Sequence, residues 1–206
     1  MSNQADRILT GLIEINAIQI KPDRSFTWTS GIKSPIYCDN RLTISYPHLR
    51  SKIAEGFVEV IKEKNLDVDV VAGCATAGIP HATLLADRLN KSTVYVRGQA
   101  KEHGQGNQIE GVINPGDSVV IIEDLISTGG SVLSVVKAVE AAGGKVEAVL
   151  AIFSYGLEKA SDAFREAGVP YYTLANFDQL AELLIKRNEI TEQEAKSLLE
   201  WREELG

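Results

Sequence analysis

Residues Val119 to Val132 read VVIIEDLISTGGSV: four β-branched apolar residues, two adjacent carboxylates, then a Thr-Gly-Gly-Ser turn. The apolar run predicts a strand over Ser118 to Ile122, buried on both faces, with Glu123 and Asp124 at its carboxyl end. Leu125 and Ile126 carry the chain to Ser127, and Ser127 to Ser131 turns it into a helix. The first N–H groups of a helix are unpaired and favour an anion. Gly129 and Gly130 let the backbone close around that anion with no Cβ in the way, and the Thr128 and Ser131 hydroxyls can donate to it. Two carboxylates beside an anion cradle must face another part of the same ligand, such as vicinal hydroxyls or a metal ion. A ribose 5-phosphate has both ends. The stretch lacks the Gly-Lys-[Ser/Thr] of a P-loop and the glycine spacing of a dinucleotide fingerprint.

A second stretch, Arg97 to Gly111 (RGQAKEHGQGNQIEG), spaces Arg97, Lys101 and His103 among Gly98, Gly104, Gly106 and Gly111. Four glycines in a short polar segment predict a mobile loop, and its three potential cations predict an anionic target covered on closure. A diphosphate leaving group is such a target. Charge develops on its bridging oxygen as it departs, and Lys, Arg and protonated His stabilise that charge. His103 can also transfer a proton.

The elements that must position these residues follow from apolar periodicity. Short apolar runs predict strands at Val68–Ala72, Thr93–Val96, Ser118–Ile122, Val146–Phe153 and Tyr171–Leu174. Helical spacing predicts helices at Ala5–Asn16, Pro47–Lys64, Pro80–Leu89, Ser131–Ala142 and Ala160–Gly168, the fourth stopped by Gly143-Gly144. One or two helices are expected from Asp178 to Leu205, with Thr191-Glu-Gln-Glu as a capping box. Ser25 to Asn40 reads as irregular. Strand and helix alternation implies an α/β fold with a mostly parallel sheet covered on both faces, whose ligands collect at the carboxyl ends of the strands.

Composition excludes several classes. The 206 residues, 44% hydrophobic, suffice for one core, and a single domain over 1–206 is expected, with a distinct N-terminal portion to about residue 45. A net charge of -7 and a pI near 5.1 argue against a chain that coats nucleic acid. Cys38 and Cys74 lie far apart without metal-ligand spacing, as reduced thiols would. The N-terminus lacks a signal-peptide pattern and no long uninterrupted apolar run occurs, so a soluble cytoplasmic protein without membrane partners is expected. Trp28 and Trp201 read as packing residues, and Phe26 and Trp28 alternate as a short strand would. His48 and His81 read as ordinary helix-start or surface residues.

The two apolar residues, acidic pair and Thr-Gly-Gly-Ser resemble the phosphoribosyl-diphosphate signature of the type I phosphoribosyltransferases. Arg-x3-Lys-x-His-Gly-x-Gly is similar to the catalytic loop of the orotate phosphoribosyltransferases. Ser30-Gly-Ile-Lys-Ser-Pro-Ile-Tyr-Cys-Asp-Asn-Arg41 looks like that family's N-terminal Ser-Gly-x-x-Ser-Pro hood over the pyrimidine. The resemblance implies the type I phosphoribosyltransferase fold. It implies transfer of phosphoribose from 5-phosphoribosyl 1-diphosphate to orotate, giving orotidine 5-phosphate and diphosphate in pyrimidine biosynthesis, with Mg²⁺ held mainly through the substrate.

By the same resemblance, Arg97, Lys101 and His103 contact the diphosphate and carry the catalysis. Glu123, Asp124, Leu125, Ile126, Ser127, Thr128, Gly129, Gly130 and Ser131 bind the ribose phosphate. Ser127, Tyr37 and Cys38 meet orotate, Tyr37 and Cys38 at positions often occupied by two aromatics. A homodimer with shared active sites is implied as well. The chain departs from many relatives in having Thr29 where a lysine precedes the hood Ser-Gly, Gly98 where a second basic residue follows the loop arginine, and Thr76-Ala77 for a Tyr-Lys pair. No arginine follows the strand ending near Phe153 to hold the orotate carboxylate, which leaves Lys33, Arg41 or hood N–H groups for that role.

Three rivals are weighed. A purine or uracil phosphoribosyltransferase shares Glu123 to Ser131 but is not expected to carry the Lys101, His103 and Gly104 arrangement. A nucleic-acid-binding regulator on the same fold needs a basic face that this acidic chain lacks. A Cys74 nucleophile lacks a histidine partner in recognisable context; Cys74 reads as a small buried residue at a strand end.

Overall fold

The computed structural model describes residues 4–27, 33–98 and 108–206. Five strands run parallel: β5 (Val70–Cys74), β6 (Ser92–Val96), β8 (Ser118–Ile126), β9 (Lys145–Ser154) and β10 (Tyr171–Asn176). The short β7 (Ile109–Glu110) adds an antiparallel edge, and the sheet order is β10-β9-β8-β5-β6-β7. Every residue of β5 and the last seven of the ten residues of β9 are buried, as expected of strands covered on both faces.

Helices α1 (Gln4–Glu14), α2 (Pro47–Glu63) and α3 (Gly78–Leu89) pack on one face, joined there by α6 (Phe177–Lys186) and α7 (Glu192–Leu205) around Phe57, Phe153 and Phe177. The other face carries α4 (Gly130–Ala141) and α5 (Glu158–Ala167), whose Val135, Val139 and Phe164 meet Val119, Ile121 and Val149. Sequence order along the sheet reverses between β5 and β8, because β6 lies on one side of β5 and the later strands on the other. Such a switch point leaves a crevice at the carboxyl ends of the two strands. Glycines bring α3 close to it: a Cβ on Gly73 would meet Ile79 Cα at 2.9 Å, and one on Gly78 would meet the Ile122 carbonyl oxygen at 2.3 Å.

The expected strands and helices all form, with shifted ends. The capping box at Thr191 forms as read, its hydroxyl accepting from Glu194 N at 3.2 Å. Gly143 takes φ +91 after α4, where Gly144 N–H reaches the Val139 carbonyl at 3.0 Å.

Three expectations need correction. The acidic pair does not end its strand: β8 continues to Ile126 because Leu125 and Ile126 still pair with Phe153 and Ser154 of β9. The segment read as irregular contains β2 (Phe26–Thr27), β3 (Lys33–Ser34) and β4 (Ile36–Cys38); β2 pairs with β3, and β4 with β1 (Ile18–Ile20). His81 starts a helix as read but is only 1% exposed, whereas His48, in the first turn of α2, is exposed. Trp28 lies outside the described residues, and Trp201 is buried as a packing residue.

Candidate active site

β5 pairs with β8 only as far as Gly73 and Ile122, so Glu123 and Asp124 emerge beside the switch-point crevice while β9 still holds them from the other side. Both are half-buried. The Glu123 carboxylate accepts the Asp124 N–H at 2.9 Å, which brings the two side chains together. Burial, and then the hydrogen bond to Asp124, pushes the Glu123 carboxyl up to about 8. Asp124 is raised as well, chiefly by burial, with the Arg41 guanidinium opposing the rise.

The neighbours are also kept neutral. Burial, then the charge of Asp124, raises the Cys38 thiol; burial, then Glu123, raises Cys74; burial raises the Tyr155 phenol. Two adjoining half-buried carboxyls that both hold their protons more tightly than usual are poised to meet hydroxyl groups or positive charge. Among the described residues no group of three or more His, Cys, Asp or Glu could hold a metal ion. A hard cation bound largely through substrate oxygens suits that donor set, since Mg²⁺ commonly uses one or two carboxylates together with phosphates.

Past the pair, half-buried Leu125 packs against the larger core, and buried Ile126 gives its carbonyl to Tyr155 N at 3.1 Å. Ser127 is half-buried, while Thr128, Gly130 and Ser131 are exposed. Gly129 turns the chain with φ +83, and a Cβ there would stand 3.1 Å from Phe164 Cε2, whereas one on Gly130 would meet open space. The first turn of α4 holds no acidic residue. Its first N–H groups are therefore suited to an anion, with no carboxylate in their own turn to compete.

The hood segment stands on the other side. The Asn40 carboxamide, 1% exposed, donates to the Asp124 carbonyl at 2.8 Å. Cys38 Sγ is 3.5 Å from Asn40 Oδ1, and the Tyr37 ring, 40% exposed, is tilted against Phe26 at 5.9 Å. Lys33 Nζ donates to the Thr27 hydroxyl at 2.8 Å, and its carbonyl accepts Trp201 Nε1–H at 3.2 Å. Arg41, exposed, grips Asp39 through Nε at 2.6 Å and a terminal nitrogen at 2.9 Å. Arg97 is ion-paired to Glu110 where β6 and β7 meet, and Gln108 Nε2 caps the Arg97 carbonyl at 2.7 Å. Lys101, His103 and Ser30 lie outside the described residues.

The structure thus links Cys38, Asn40, Asp124 and Glu123 at the end of β5, with the 127–131 turn following on the same chain, while the Tyr37 ring lies against Phe26. Asn40, Thr43, His81 and Tyr155 were not foreseen there. Asn40 lies inside the Ser30–Arg41 motif, but nothing in its spacing announces a partner so distant in sequence.

The phosphoribosyl transferase domain model matches residues 45–171. The orotate phosphoribosyltransferase of Halalkalibacterium halodurans is 52% identical over 198 residues, covering 96% of this chain and 94% of that protein. The orotate phosphoribosyltransferase structure from Aeropyrum pernix superposes with a TM-score of 0.76 at 29% identity, covering 86% of this chain and 97% of that one. Leishmania donovani UMP synthase superposes with a TM-score of 0.80 at 25% identity, covering 97% of this chain but 42% of that longer chain. With a domain match over more than half its length and a half-identical relative along nearly all of it, the chain belongs to the phosphoribosyltransferase family and, within it, to the orotate phosphoribosyltransferases.

Proposed function

We propose that this crevice transfers phosphoribose from 5-phosphoribosyl 1-diphosphate to orotate, with the roles divided among the residues gathered there. The activity is that of an orotate phosphoribosyltransferase, a pentosyltransferase of pyrimidine biosynthesis. The observation that carries the division of roles is the pairing of a half-buried acidic dyad at the switch point with an acid-free helix N-terminus a few residues on.

In this reading, Glu123 and Asp124 accept the ribose hydroxyls, and the 127–131 backbone with Thr128 and Ser131 holds the 5-phosphate. Tyr37 and Cys38 flank the pyrimidine, Ser127 meets its edge, and Lys33 offers a cation to its carboxylate. Orotate N1 gives up its proton and forms a bond to ribose C1 as the bond from C1 to the diphosphate oxygen breaks; the leaving electrons go with diphosphate, whose oxygens take up the N1 proton with His103 as its relay. Arg97, Lys101 and His103 stabilise that developing charge. Bound through diphosphate and ribose oxygens, Mg²⁺ would neutralise part of the same charge. Positioning and electrostatics then supply most of the acceleration.

We also read the enzyme as a cytoplasmic homodimer that exchanges loops between active sites. Two free thiols suit a reducing compartment, and exposed Leu42, Ile44 and Tyr46 beside the hood offer apolar surface to a second copy. Among the described residues no helix is long and apolar enough to cross a membrane.

The deciding experiment follows orotate absorbance after adding 5-phosphoribosyl 1-diphosphate and Mg²⁺, with adenine, hypoxanthine and uracil in parallel. Consumption of orotate alone supports the reading. Turnover of another base, with orotate untouched, overturns it.

A further inference from the structure

His81 holds a buried polar atom that stability does not explain. Its Nε2 lies 3.0 Å from Thr43 Oγ1, and both residues are fully buried. The Thr43 hydroxyl has a single proton and gives it to the Asn40 carbonyl at 2.6 Å, so Thr43 accepts from His81 and Nε2 carries the hydrogen. That tautomer leaves Nδ1 a bare acceptor, and no described residue donates to it. Burial keeps the ring neutral, consistent with this arrangement.

From Asn40 the chain of hydrogen bonds continues to the Asp124 carbonyl. From His81 the backbone runs back along the first turn of α3 to Gly78, which packs against the Ile122 carbonyl so tightly that no Cβ fits. The circuit leaves β8 at Ile122 and rejoins it at Asp124, enclosing one end of the acidic pair. β8 is fixed by its neighbours in the sheet, so the element this circuit locates is the hood turn bearing Asn40, and with it Tyr37 and Cys38.

We propose that His81 is a positioning residue that sets the register of the orotate hood against the ribose-binding carboxylates through Thr43 and Asn40. The inference rests on Tyr37 and Cys38 meeting orotate and Asp124 meeting ribose. A buried histidine kept with half of its ring unpaired is what a positional constraint leaves behind, since an apolar side chain would suit the core better.

Three variants of the full-length chain test this, each assayed for orotate turnover and for urea unfolding. His81→Gln can place an N–H near the Nε2 position and is expected to keep wild-type kinetics. His81→Asn is too short to reach Thr43, and His81→Leu offers no donor. Both are expected to raise the orotate KM about tenfold, the usual weight of a lost hydrogen bond, with the KM for 5-phosphoribosyl 1-diphosphate unchanged. His81→Leu, which removes the unpaired Nδ1, is expected to unfold at a urea concentration no lower than wild type. Unchanged orotate KM in the Leu and Asn variants overturns the proposal, as does activity lost only in proportion to unfolded protein, or a Gln variant no better than Leu. A wild-type protein that does not consume orotate removes the functional reading itself, a result visible before any variant is compared.

Discussion

The Asn40 carboxamide and the Asp124 carbonyl, 84 residues apart in sequence, meet at 2.8 Å and join the hood to the strand that bears the acidic pair. Asn40 is buried, so truncating it leaves that carbonyl without its partner in a dry site. Asn40→Ala is expected to lower stability by about 1–3 kcal/mol and to raise the orotate KM, because the hood loses this tie to Asp124. Urea unfolding and steady-state kinetics on the same preparation check both effects.

Glu123 supplies a pH dependence whose sign can be worked out. Its folded pKa is raised, to about 8, so between its unfolded value and 8 the native state binds more protons than the unfolded state. The stability it contributes is present at acid pH and is lost as pH rises through about 8. Glu123→Gln is therefore expected to flatten that fall and to be the more stable protein at pH 9 by at least about 1 kcal/mol, while losing affinity for 5-phosphoribosyl 1-diphosphate. If ribose hydroxyls bind the ionised dyad, substrate binding at pH 7 releases a proton. Calorimetric titration in two buffers of different ionisation heat measures that release.

Two neighbouring glycines should separate folding from binding. Gly129 has φ +83 and Phe164 close by, so Gly129→Ala is expected to cost about 1–2 kcal/mol of stability and to displace the turn. Gly130 begins α4 with open space around it, so Gly130→Ala should leave stability equal or slightly raised, by up to about 1 kcal/mol. Its methyl group would nonetheless stand where the 5-phosphate is proposed to sit, and the KM for 5-phosphoribosyl 1-diphosphate should rise. Thermal melts beside kinetics distinguish the two.

Most of the sheet was legible because buried strands and their crossover helices carry strong local signals. β5, β8 and α4 stood near their expected places from apolar runs and a Gly-Gly stop. The true end of β8 was not legible: Glu123 and Asp124 look like strand terminators, and only pairing with β9 carries the strand past them. The capping box at Thr191 follows the Thr-x-x-Glu spacing, whereas the same device at Asn176 and Gln179, which starts α6, uses the less distinctive Asn and Gln beside the aromatic Phe177. β1 to β4 are too short to show a period. The contacts that join them to the core run from Asn40 to Asp124 and from Trp201 to Lys33, and no local pattern encodes such pairs.

Lys101 tests the loop independently of the hood. If it stabilises charge only as diphosphate leaves, Lys101→Ala should lower kcat by about 10²–10³ with little change in the orotate KM. Arg97 differs, because its ion pair with Glu110 fixes the junction of β6 and β7 at the base of the loop. Arg97→Ala is expected to combine a kcat loss with weaker binding of 5-phosphoribosyl 1-diphosphate, and Glu110→Gln to reproduce part of it. Single-turnover kinetics separate the chemical step from binding in each variant.

Trp201 ties α7 to the strand that bears Lys33. Its indole N–H reaches the Lys33 carbonyl at 3.2 Å, while its ring packs near Phe177 at 6.2 Å. Trp201→Phe keeps an aromatic body but removes the donor, leaving β3 without that anchor. The expected result is a loss of about 1 kcal/mol in stability and a several-fold rise in the orotate KM, with the constants for 5-phosphoribosyl 1-diphosphate unmoved. Deleting the donor would be silent in both measurements if α7 only covered the core. A selective effect on orotate would instead mean that the helix holds the hood strand bearing Lys33 at its working distance.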